Sequence, residues 1–164
     1  MLKQKIQTDL KDALFKKDAL LASVLRMTLA ALHNKEIEKK TKLRKAGKTA
    51  EEVEKEGELS DEEIIETIFS EIKKRKESIL EFEKGKREDL VNKEKKELEF
   101  LKTYVPEQLS EEEIKKIAKE AIEKIGAKEI KDMGKVLAEL MPRVKGKAEG
   151  GLVSKTVKEL LSNK

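Results

Sequence analysis

The 164-residue chain carries 38 basic and 34 acidic residues, yet its formal net charge is only +4. It has no Cys and a single His, which excludes disulfide scaffolds, thiol catalysis and Cys-ligated metals. Its apolar runs are a few residues long, far short of the ~18–20 a membrane span needs. Leu, Ile, Val and Phe make up 27% of the chain, above the ~20% below which chains stay disordered.

Met1-Leu2-Lys3-Gln4-Lys5 leads into an amphipathic pattern rather than an apolar signal-peptide core. The expected compartment is therefore cytoplasmic, or the matrix for a precursor with a transit peptide. Leu2, Ile6, Leu10 and Ala13/Leu14 step by three and four and predict a first helix. Lys17-Asp18 reads as a joint, with Asp18 placed to N-cap the next helix. Leu21, Val24, Leu25, Leu29 and Leu32 mark that second helix, reaching about Lys45 before Gly47. Residues 46–58 hold two glycines and few apolar residues, and are expected to form an exposed loop. Ser60-Asp61-Glu62-Glu63 is a capping box. It opens a third helix with Ile65, Ile68, Phe69, Ile72 and Ile79 inward and Gly85 as its stop. A fourth helix runs from about Arg87 to Tyr104 on Leu90, Val91, Leu98 and Leu101.

Pro106 pushes the preceding residue out of helical geometry and marks the expected domain boundary. A second capping box, Ser110-Glu111-Glu112-Glu113, starts a helix on Ile114, Ile117, Ala118, Ala121, Ile122 and Ile125, with Gly126 at its C-terminal end. Met133, Val136, Leu137, Leu140 and Met141 follow, with Pro142 expected to end or kink the helix. A last helix shows Val153, Val157, Leu160 and Leu161. The prediction is an all-α chain with an N-terminal four-helix domain (1–105) and a small three-helix domain (106–164).

No residue set announces catalysis. Glu94 and Glu97 share a face of the fourth helix, but a solvated face paired with lysines explains them. His33 has no second His nearby, so no metal site is expected. The serines lack a nucleophile elbow, and residues 146–151 lack the spacing of a phosphate or dinucleotide loop. No catalytic residue and no cofactor is expected.

Charge is uneven in the second part. Residues 106–123 are net −3 and residues 124–164 net +5. Arg143-Val144-Lys145-Gly146-Lys147-Ala148 is a basic loop between helices, and Gly146 lets the main chain approach a phosphate backbone. The region has no aromatic residue for base stacking. Reading of double-helical RNA shape through phosphate and sugar fits better, and DNA is not expected as a partner.

Several blocks, in order, resemble the GatB/YqeY family. They are Leu25-Arg26 through Glu36-Ile37-Glu38, Arg87-Glu88-Asp89-Leu90 with Glu94 and Glu97, Tyr104-Val105-Pro106-Glu107-Gln108-Leu109-Ser110, Lys131-Asp132-Met133-Gly134-Lys135-Val136, and Gly146-Lys147-Ala148. The likeness is to the free-standing YqeY type. That type is itself similar to the C-terminal tail of GatB, a component of the glutamine-dependent aspartyl/glutamyl-tRNA amidotransferase, a carbon–nitrogen ligase. No segment resembles the catalytic cradle of GatB. The resemblance implies a helical appendage that holds the tRNA body, with Asp132, Gly134, Lys135, Val136, Gly146, Lys147, Ala148, Leu152 and Val153 at matching motif positions. Where the tail has Asn-Pro, this chain has Glu149-Gly150.

The expected phosphate contacts are Lys131, Lys135, Arg143, Lys145 and Lys147, and the expected partners are tRNA and components of an amidotransferase or synthetase. The N-terminal bundle is expected to dock on a partner or to lengthen the contact surface. The alternative is a protein-interaction module whose groove for a partner helix is lined by Met133, Leu137 and Met141. No membrane partner is expected.

Lys is 33 of the basic and Glu 28 of the acidic residues, with six amides in all, a hyperthermophile tendency. Thermal unfolding followed by circular dichroism should therefore have its midpoint above the ~45–65 °C of mesophile domains; a midpoint inside that range contradicts the thermophilic reading.

Overall fold

The computed structural model describes residues 1–162. The fold is all-α, with α1 (Leu2–Phe15), α2 (Ala19–Lys45), α3 (Ala50–Glu56), α4 (Asp61–Lys84), α5 (Glu88–Lys102), α6 (Glu111–Ile125), α7 (Met133–Val144) and α8 (Gly150–Ser162). A 3₁₀ turn, Ile130–Asp132, leads into α7. No strand occurs among the described residues. Contacts divide the chain into two compact units, Met1–Val105 and Pro106–Lys164.

Local chemistry sets several of the helix ends. Asp18 accepts the Leu21 N–H at 3.0 Å and starts α2. Ser60 and Ser110 each accept an N–H from the third residue of their helix. Glu63 and Glu113 reach back to the cap N–H groups at 2.8 Å. Gly126 closes α6 in the left-handed conformation, φ +69°, which glycine adopts without a Cβ penalty. Gly85 is not left-handed; the strained residue is its neighbour Lys86, φ +54°. Pro142 neither ends nor breaks its helix at once, since α7 continues to Val144. So near the C-terminal end, the missing N–H forfeits one of the last helical bonds only.

Residues 46–58 are not the exposed loop the composition suggests. Thr49 and Glu52 form a capping box for α3, which packs on α2 and buries Val53. Lys40 pairs with Glu54, and Lys48 with Glu52 and Glu56. The N-terminal unit therefore has five helices, one of them short. Its core joins Ile6, Leu25, Leu32, Ile64, Ile68 and Leu101; on α4, Ile64 is buried while Ile65 is only partly so. A second, separate core joins Ile114, Ala118, Val136, Leu140, Val153 and Val157.

α4 and α5 pack against each other around an ion triad. Arg75 is 4% exposed, between Glu71 on its own helix and Glu97 on α5. Its Nε donates to Glu97 Oε2 at 3.2 Å, and its Nη1 to the Glu71 carboxylate and carbonyl oxygen at 3.3 Å. Nη2 lies 3.2 Å from Glu97 Oε2, but at an angle that makes no hydrogen bond. Glu97 is thus buried, not on the solvated face that its sequence context suggests. Arg75→Met should lower the unfolding free energy by about 3–5 kcal/mol, because two carboxylates stay buried without their counter-ion. Replacing all three residues by apolar ones of similar volume should recover most of that loss. Urea titration measures both.

Candidate nucleic-acid interface

The basic end of the C-terminal unit is built on α7 and its flanks. Its N-terminal side is organised by Asp132, which accepts the backbone N–H groups of Lys128 and Glu129 at 3.2 and 3.4 Å. These bonds, the Lys128 one foremost, hold the Asp132 carboxyl below its usual range. Lys131 and Lys135 project beside it, both exposed. Lys131 pairs with Glu129 at 2.8 Å and Lys135 approaches Asp132 at 3.8 Å. Exposed pairs of this kind are worth at most ~1 kcal/mol, so either ammonium can leave its carboxylate for a phosphate.

The other end of α7 carries Arg143, Lys145 and Lys147, all exposed. Gly146 is left-handed, φ +72°, and turns the chain sharply between the two lysines. The Leu109 N–H donates to the Lys147 carbonyl at 2.8 Å. That bond pins the basic loop to the segment entering α6, so the loop stands beside the acidic first turn Glu111-Glu112-Glu113. Arg143 Nη2 donates to Glu120 Oε2 at 2.6 Å, and this bond holds the Glu120 carboxyl below its usual range. The Lys147 ammonium has no ion pair among the described residues.

The structure does not bring the five cations into one patch. Lys135 and Arg143 both lie on α7, eight residues apart, which sets them roughly 12 Å from each other at ~1.5 Å per residue, with Lys131 and the Lys145–Lys147 loop beyond the two ends. Gly134 lies exposed on the first turn of α7, where a Cβ would meet nothing within 4 Å, so packing within this chain does not require glycine there. Ala148 packs on the core. Met133, Leu137 and Met141 are half-buried and also lie against that core, which reduces the apolar surface left for a partner helix.

Sequence reasoning missed Arg75, whose carboxylate partner on α5 is 22 residues away. It also misjudged the surroundings of Glu94. Burial, then the charge of Glu97, raises the Glu94 carboxyl above its usual range. The only signals were an Arg with a Glu four residues before it and the Glu94–Glu97 spacing on α5.

Compared with known proteins, residues 3–161 match the family described as Yqey-like protein. The chain belongs to the YqeY family. It is 32% identical over 164 residues to "Altered inheritance of mitochondria protein 41, mitochondrial" of Pyrenophora tritici-repentis, covering 98% of this chain and 81% of that protein. The protein of the same name from Kluyveromyces lactis is 36% identical over 100 residues, 60% of this chain and 45% of its own length. That of Saccharomyces cerevisiae strain YJM789 is 35% identical over 101 residues, 61% of this chain and 46% of its own length. The chain thus spans less than half of these two yeast YqeY relatives. All three names carry the word mitochondrial, and this corrects the expectation of a cytoplasmic protein drawn from the opening residues.

Glu120 gives a direct check of the charge arrangement. Its carboxyl should titrate below the ~4.3 of an unperturbed Glu and return towards it in Arg143→Ala. Because the folded value is depressed, the pair's stabilisation is present above the unfolded value and lost as pH falls through the folded one. Carbon-13 NMR titration of the side-chain carboxyl measures this; an unchanged value in the variant would contradict the pairing.

Proposed function

We propose that this YqeY-family chain binds tRNA through the phosphate backbone, with its C-terminal unit as the contact surface, in association with tRNA amidation. The observation that carries the reading is the Lys145-Gly146-Lys147 loop. It holds two exposed lysines on a backbone fixed by Leu109, with a left-handed glycine between them. Phosphate contacts release counter-ions and supply affinity without base reading. Lys131 and Lys135 at the other end of α7 form a second contact point. Two separated points suit a double-helical backbone better than a compact anion.

This reading assigns no chemistry to the chain. Its role is to hold or present the tRNA body, as the similar tail of the amidotransferase does, while amidotransferase or synthetase components act on the acceptor end. Lys131, Lys135 and Arg143 have carboxylate neighbours, so affinity is expected to be modest and strongly salt-dependent.

Fluorescence anisotropy with labelled tRNA across a salt series tests the proposal. Lys145→Ala with Lys147→Ala should weaken binding and flatten the log–log salt slope by roughly 1–2 units, the share of two phosphate contacts. No binding at low salt, or an unchanged slope in the double variant, would overturn it.

A further inference from the structure

A second surface lies on the N-terminal unit and does not depend on the tRNA reading. α2 is 27 residues long and packs against α1, α3, α4 and α5 on its inner side. On its outer side Arg26, Ala30, His33, Ile37 and Arg44 recur at spacings of three, four and seven and so fall on one line along the helix. All five are exposed. Ile37 keeps 49% of its surface in solvent, and Met27, about 100° round the helix from Arg26, keeps 52%. Apolar side chains left open in the middle of a long helix gain nothing from the fold of this chain.

The charges of this face are equally uncommitted. Most lysines of α2 that point elsewhere are engaged: Lys35 with Glu38, Lys39 with Glu63 and Lys40 with Glu54. Arg26 has no hydrogen bond or ion pair among the described residues. The Arg44 guanidinium has none either, and only acts at longer range on Glu54, which Lys40 already holds. The carboxylates of α2 on either side of Ile37 lie about 100° round the helix from it and are taken, Glu36 by Lys3 at 2.6 Å and Glu38 by Lys35 at 3.1 Å. The result is a strip with cations about 27 Å apart (~1.5 Å per residue), an apolar middle and no free acid.

We infer that this face of α2 is a docking surface for an amphipathic helix of another protein, one whose apolar ridge is flanked by carboxylates. The apolar middle gives a phosphate backbone nothing to bind, which disfavours nucleic acid here. A second copy of the chain is disfavoured by charge. Antiparallel pairing sets Arg26 against Arg44 of the copy, and parallel pairing sets each Arg against itself. An acidic helix satisfies both guanidiniums while covering Met27 and Ile37, with Ala30 small enough to let the helix axes approach.

The probe is a synthetic helix of about 21 residues, three heptads with Leu at the first and fourth positions and Glu at the flanking ones, with a Lys-flanked counterpart. Both are titrated into the isotope-labelled full chain. The Glu peptide should shift the resonances of Arg26, Met27, Ala30, Ile37 and Arg44. Arg26→Glu with Arg44→Glu, both at exposed positions and expected to leave the melting point unchanged, should weaken the Glu peptide by at least about 10-fold and admit the Lys peptide instead. Shifts elsewhere or none, equal binding of both peptides, or indifference to the charge reversal would overturn the inference. So would tRNA shifting this strip, or self-association of the chain through it.

Discussion

The packing of α4 against α5 turns on one buried cation. Arg75 sits between Glu71 and Glu97 with all three side chains almost wholly removed from water. Such a triad adds little net stability over apolar packing, because desolvating three charges consumes most of the Coulombic gain. It does set register. A slide of α5 by one turn would strand the guanidinium and a carboxylate in the interior, at a cost of several kcal/mol, whereas an apolar seam would tolerate the slip. With α5 fixed, its C-terminal end places the Tyr104 hydroxyl 2.6 Å from Asp9 of α1. Lys3 of α1 in turn pairs with Glu36 of α2 at 2.6 Å, and the Leu2 N–H donates to Asp61 at the start of α4. These links surround the apolar core of the N-terminal unit and hold α2 with its outer face free.

The many charges divide into groups with different physical roles. One group caps helices, as Glu63 and Glu113 do. Another laces neighbouring helices at the surface, as Lys40 does with Glu54 and Arg143 with Glu120. A third has no ion pair among the described residues: Lys147 in the C-terminal unit, Arg26 and Arg44 in the N-terminal one. A net charge of +4 hides this division. Partner binding depends on which charges remain unneutralised locally, not on the sum.

Much of the architecture was legible because local chemistry determined it. The Ser60 and Ser110 capping boxes, the Asp18 cap and the left-handed Gly126 depend on contacts within a few residues, and each could be read directly. The α3 helix was missed although Thr49 and Glu52 have capping-box spacing. Its single buried side chain, Val53, gave no periodicity to follow. Ile64 and Ile65 are adjacent, and only the packing of α4 decides which points inward. The surroundings of Glu97 were illegible for a different reason. On its own helix it looks like any solvated Glu, and only its meeting with Arg75 from α4 makes it a buried ion. The face of α2 was overlooked in the same way, since exposed apolar residues cannot be told from core ones until the core is known. For the C-terminal cations, sequence supplied their identities, while the distance between the two ends of α7 required the structure.

The most direct measurement is amide chemical-shift mapping of the isotope-labelled chain titrated with unmodified tRNA. Perturbations clustered at Lys131, Lys135 and residues 143–148, fading as salt is raised, are expected if the C-terminal unit holds the phosphate backbone. Perturbations confined to residues 1–105, or none at low salt, would contradict it.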